Sequence, residues 1–198
     1  MCKKMGVYVM DDHWYKYSLY KGNETFKDGI QDLDFNVLDF WRYAYSNLID
    51  TESEIAEFLV GHALGLVCPT NKLEWASYDI KYEGTRIEVK ETGYTHTWTR
   101  KQSKIRRFDI KSLNGTRHCD IYVFCLVGQY GEDVESFDPL DLSIWKFFVV
   151  PRTVIDTNCG EEKTLSLEKL HSLGYSPIRY QEIKNTVDTL IQQSKQLT

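Results

Sequence analysis

The period of the apolar positions changes several times along this chain, and each change predicts an element. Over residues 34–48, Val37, Leu38, Trp41, Tyr45 and Leu48 recur at helical spacing. A second helix is predicted from Asp50-Thr51, where Thr51 and Glu54 make a capping-box pattern, to Gly65 as C-cap. It carries Ile55, Phe58, Leu59, Val60, Ala63 and Leu64 around most of its circumference and should be largely buried. Strand periodicity then takes over. Residues 75–81 and 85–91 predict a hairpin turning at Glu83-Gly84, and residues 105–110 a third strand. Residues 120–127 (DIYVFCLV) are almost continuously apolar and rich in β formers, as a central strand covered on both faces would be. A fifth strand, residues 145–150, ends at Pro151, and helices follow over 166–172 (with Gly174 behind) and 180–196.

Helices, a strand meander and further helices together predict α/β layers around a mixed sheet. Residues 1–33 offer only a candidate strand at residues 7–9 and a turn at Gly22-Asn23. They read as an N-terminal extension ahead of a single domain over residues 34–198. No internal repeat, low-complexity segment or Pro/Gly linker divides that domain.

Composition narrows the classes. With 198 residues, 42% hydrophobic and 14% aromatic, the chain is long enough and apolar enough to bury a core, and it is not disordered. Five cysteines, an odd number without a C-x-x-C pair, fit reduced thiols in a cytoplasmic protein better than a disulfide framework or a zinc ribbon. No apolar run reaches membrane-spanning length, so no membrane partner is expected. The net charge of -5 argues against a protein that binds nucleic acid by bulk charge. Its distribution is uneven. Arg100, Lys101, Lys104, Arg106, Arg107, Lys111 and Arg117 stand against only Asp109, while acids gather over residues 32–57 and 132–141. The basic strip suits a phosphate backbone, and a solvated basic face would look the same.

The candidate chemistry lies in the hairpin. Glu88 and Lys90 are two apart on one strand and so share a face, and Asp79 precedes them on the paired strand. Two hard carboxylates beside an ammonium suit Mg²⁺ and an attacking water on phosphate. A surface ion pair would give the same letters. Glu57, in the middle of the apolar helix, either has a partner or cation or lies on a narrow solvent strip. His118, Cys119 and Cys125 lack zinc-ligand spacing, and no nucleophile elbow, P-loop or dinucleotide fingerprint occurs.

With those residues in order, the chain resembles the PD-(D/E)xK phosphodiesterase superfamily, and within it an uncharacterised bacterial branch. The matching blocks are DFWRYAYSNL (39–48), IAEFLVGHALG (55–65), EWASYDI (74–80), IEVKETGYTHTW (87–98), DIYVFCL (120–126) and WKFFVVP (145–151), so that the likeness runs in order through residues 34–195. The resemblance implies a restriction-endonuclease-like core, a central mixed β-sheet flanked by helices. It implies metal-dependent hydrolysis of nucleic acid, DNA ahead of RNA. Asp79 and Glu88 would be metal-binding carboxylates, with the Val89 carbonyl and Glu57 as further metal ligands. Lys90 would orient the water, and His96 would be an accessory contact. Mg²⁺, with Mn²⁺ as substitute, would be the cofactor. Arg100, Lys101, Lys104, Arg106 and Arg107 would bind nucleic acid, and since double-strand cutters of this fold often pair, a homodimer is an implied assembly. The alternative is an inactive nucleic-acid-binding or protein-interaction module of the same fold. This chain departs from the pattern at Tyr78, where the naming proline stands, at Glu91 after the lysine, and at Glu52, Ser53 and Glu54, where relatives tend to carry an Arg. Residues 111–119 are also too short for the expected crossover helix, which is then lost or lies within residues 128–144.

Overall fold

A computed structural model describes residues 21–28, 30–44, 52–66, 77–94, 106–111, 116–128, 130–131 and 138–196. They fall into two compact units, Met1–Ser46 and Asn47–Thr198. In the first, strands β1 (Thr25–Asp28) and β2 (Gln31–Asn36) pair antiparallel, and helix α1 (Val37–Ala44) follows directly. The helix begins later than its periodicity predicts because Asn36 and Asp39 cap it reciprocally. Asp39 N donates to Asn36 Oδ1 at 3.0 Å and Asn36 N to Asp39 Oδ2 at 3.1 Å. Val37 N and Leu38 N donate to the carbonyls of Glu24 and Gly22, which ties α1 to the segment before it. The division therefore falls after Ser46, and the predicted start at residue 34 lies inside the first unit.

The second unit is built on a four-stranded mixed sheet. Helix α2 (Glu52–Ala63) leads into β3 (Ile80–Tyr82) and β4 (Thr85–Gly93), and then β5 (Arg107–Asp109), β6 (Ile121–Val127) and β7 (Trp145–Pro151). The sheet order is β3-β4-β6-β7, with β4 and β6 parallel and the outer pairings antiparallel. Helix α2 ends where predicted, with Gly65 at φ +79° and its amide on the His62 carbonyl. The hairpin turns at Glu83 (φ +49°) and Gly84 (φ +83°), the paired left-handed conformations that match strand twist.

One predicted element sits elsewhere. The third strand is no part of the central sheet. As β5 it pairs antiparallel with β8 (Thr164–Ser166), an element the sequence pattern did not reveal. The meander is thereby replaced by a crossover, which lets β6 run parallel to β4. Among the described residues between Tyr94 and Asp120 there is no helix. The clamp that sets the parallel register is electrostatic. Arg86 Nε and Nη2 grip the Asp120 carboxylate at 3.0 and 2.7 Å, while Asp120 N donates to the Arg86 carbonyl at 2.7 Å.

Each sheet face has its own core. On one side α2 and α5 (Ile183–Gln196) bring Ala56, Val60, Ile183 and Val187 onto Ile87, Val89, Val123 and Phe147. On the other, the β5–β8 ladder with α3 (Arg152–Cys159) and α4 (Leu167–Ser172) covers Tyr122, Phe124, Leu126 and Phe148. The central strand is buried along its whole length, as its composition requires. No helix among the described residues is long and apolar enough to cross a membrane.

Candidate active site

Strand β4 is the only one of the two parallel strands with a polar face. Ile87 and Val89 turn inward to α2 and α5, so Glu88 and Lys90 turn to the opposite face, beside Tyr122 and Phe124 in register. There Lys90 Nζ meets Glu88 Oε1 at 2.5 Å, with the two side chains 29% and 19% exposed. The pair predicted from spacing alone is thus formed, and it is mostly withdrawn from water. Glu91 stands in register with Cys125 and so projects to the other face, as alternation demands.

Asp79 approaches from the strand edge. Its amide donates to the Ile87 carbonyl at 3.1 Å, and its Oδ2 accepts from Val89 N at 2.7 Å. A strand residue points its N–H and C=O to the same side. The Val89 carbonyl therefore faces the edge that Asp79 occupies, beyond the end of β3. Asp79, the Val89 carbonyl and Glu88 line one corner of β4.

The electrostatics follow from burial and crowding. Burial lifts the Glu88 carboxyl above its ordinary range; the Lys90 hydrogen bond opposes this, and the charges of Asp79 and Glu57 add to it. For Lys90, burial pulls the ammonium down, but the Glu88 hydrogen bond and the charges of Glu88, Asp79 and Asp109 outweigh it and hold the proton more tightly than usual. Lys90 is therefore a cation throughout the neutral range.

Glu57 is half-buried on α2, which packs against the Ile87–Val89 face. Its charge reaches Glu88, but the three acids do not close around one point. Among the described residues, no three His, Cys, Asp or Glu side chains are grouped so that they could hold a metal ion. The expected grouping of Glu57 with Asp79 and Glu88 is thus not formed, and Asp79, Glu88 and the Val89 carbonyl remain together at the corner.

The basic strip needs a larger correction. Arg106 is only 5% exposed; its Nη1 donates to the Gly93 carbonyl and its guanidinium lies 5.0 Å from the centre of the Tyr94 ring. Arg117 is likewise buried, donating to the carbonyls of Ile110, Gly160 and Glu162 and to Asp156. Both guanidiniums fasten the second core and are not on a surface that phosphate can reach. Arg107 is exposed, and Lys111 is paired with Asp109 at 2.7 Å. Arg100, Lys101, Lys104 and His96 lie outside the described residues.

Three neighbours escaped the sequence reading. Asp109 acts on the Lys90 charge from β5, and its carboxyl is lowered, burial being outweighed by the Lys111 hydrogen bonds. Tyr122 and Cys119 lie on the Glu88 side. Burial pushes the Cys119 thiol up to about 12, and the Glu88 charge adds to that, so it is no nucleophile. Only the parallel register could have revealed Tyr122, because nothing local links residues 88 and 122. Comparison with family models, curated proteins and solved structures finds no match to this chain.

Proposed function

We propose that the protein is a Mg²⁺-dependent phosphodiesterase acting on nucleic acid, DNA ahead of RNA, on a core of restriction-endonuclease type. The observation that carries this is the corner of β4, where Asp79 is oriented by the Val89 amide and Glu88 is joined to a protonated Lys90. The donors are all oxygens, and Mg²⁺ is commonly held by one or two carboxylates, several waters and substrate phosphate. The donor chemistry therefore fits, with Asp79, Glu88 and the Val89 carbonyl as the residues that would hold it. When bound, the cation supplies Lewis-acid charge that acidifies water and screens phosphate. Lys90, fixed in its charged form, donates hydrogen bonds to the attacking water or to a non-bridging phosphate oxygen, and does not act as a base. Glu57 raises the electron-rich character of the corner through space. Tyr122 and Phe124 give the ion pair an apolar floor.

Purified protein incubated with supercoiled plasmid and Mg²⁺ or Mn²⁺ is expected to nick or cut it, and Lys90→Ala should slow cleavage by roughly 10²-fold or more. No cation binding by calorimetry, together with cleavage that survives Lys90→Ala, would sink the reading. The burial of Arg106 and Arg117 favours a second reading, an interaction module that kept the fold and lost its grip on nucleic acid. Salt-sensitive nucleic-acid binding by the intact chain decides between them.

A further inference from the structure

Apart from Glu57, the acidic stretches at residues 32–57 and 132–141 play no part in the proposed site, yet the structure brings portions of them together. Ile55, Phe58 and Leu59 of α2 face Pro139, Leu140 and Leu142 across a groove of about 350 Å³. Its walls are apolar, with Phe58 55% and Leu140 71% exposed. That exposure contradicts the expectation that α2 is buried nearly all round. Large apolar side chains left to water beside one another mark a binding surface more often than chance.

The groove is held open by its own chemistry. Asp138 Oδ1 accepts from Leu140 N at 2.9 Å and Asp141 Oδ1 from Ser143 N at 2.9 Å, which fixes the turn. The buried indole of Trp145 donates to the Pro139 carbonyl at 2.8 Å and anchors that turn to the core. Leu140 is thus presented on an ordered support, so an occupant need not pay to order it. The charged residues described on the rim of the groove are acidic. Glu54 lines it, Asp138 and Asp141 are exposed on its turn, and no Lys or Arg is among the lining residues. In sequence, residues 131–142 hold Glu132, Asp133, Glu135, Asp138 and Asp141 without a base.

We propose that this groove docks an amphipathic helix of a partner protein, apolar along one stripe and flanked by Lys and Arg. A helix lays residues at i, i+3, i+4 and i+7 into such a trough, and the carboxylate rim selects cationic flanks. The same rim repels nucleic acid and anionic lipid. The surface is independent of the β4 corner, since none of its lining residues belongs to that corner.

The test uses the intact chain and a fluorescein-labelled helical peptide of Leu and Lys, with a matched Leu and Glu peptide beside it, read by polarisation. The Leu/Lys peptide should bind, with affinity falling as salt rises, and the Leu/Glu peptide should not. Leu140→Asp should weaken binding at least about tenfold, and Glu54→Lys about threefold while flattening the salt dependence. Leu140 is so exposed that its variant should keep the wild-type circular dichroism, which is checked in parallel. Equal binding of both peptides, binding unchanged by Leu140→Asp, or no binding at all would overturn the proposal. Self-association of the chain that Leu140→Asp abolishes would overturn it too, in favour of a second copy as occupant.

Discussion

Strands β4 and β6 lie side by side, parallel and in register over seven pairs, yet they are specified by different physics. All seven residues of β6 are buried, and any apolar side chain of fitting volume would serve most of them. Strand β4 buries Ile87 and Val89 on one face and places Glu88 and Lys90 on the other. A sheet that could have been apolar on both faces instead carries a half-buried ion pair, which is costly to desolvate. The difference separates what holds this fold together from what it is built to present.

The sharpest way to break that contrast is at Phe124, fully buried and with its ring 4.8 Å from that of Phe108. Phe124→Ala should cost about 3–5 kcal/mol in urea unfolding, through lost transfer energy and a cavity. A cost under about 1 kcal/mol would mean that β6 is not the structural strand. The next effect lies on β4. Glu88→Ala leaves Lys90 without its nearest partner and should cost about 2 kcal/mol, while Glu88→Leu combined with Lys90→Met should stay within about 1 kcal/mol of wild type. If the double variant is as unstable as the single one, the pair is a structural element.

The smallest effect is in pH dependence, and it has opposite signs at the two strands. Asp120, at the head of β6, is lowered below 3.8 chiefly by its hydrogen bond to Arg86. It contributes stability above that value, and the contribution is lost as pH falls through the folded-state value. Glu88 is raised above 4.5 by burial, so its contribution is present below 4.5 and is lost as pH rises through the folded-state value. Asp120→Asn should therefore flatten the acid limb of the stability curve below about pH 4, and Glu88→Gln should remove a decline that starts near pH 4.5. Denaturant midpoints measured at closely spaced pH values distinguish the two.

What could be read from the sequence was what local periodicity encodes. Helix α2 with its Gly65 stop, the Glu83-Gly84 turn, the fully apolar β6, the Pro151 boundary and the face shared by Glu88 and Lys90 all follow from spacing. The β1–β2 hairpin and helix α3 escaped although they are local, and the rest of what escaped depends on long-range pairing. Residues 105–110 carry a strand pattern that is silent about its partner, and the partner is a three-residue strand with almost no signal of its own. Arg106 and Arg117 look like members of a basic surface because sequence gives their charge and not the carbonyls that surround them. The Asp79 approach to Val89 was within reach of hairpin logic, Glu57 entered the ligand set only through the resemblance, and the reach of Asp109 toward the pair was not legible.

The hairpin that carries Asp79 has a late dependency. Tyr82 on β3 donates to Asp188 at 2.9 Å and accepts from Lys184 at 2.7 Å, both on α5, whose Ile183, Val187 and Ile191 share the core with Ile80 and Ile87. Residues about a hundred positions apart thus complete one another. A nascent chain that has exposed β3 and β4 still lacks their support, and loop-closure entropy delays the contact further. The packing of the β3–β4 hairpin against α5 is therefore completed only after residues 183–196, the last helix of the chain, have been made.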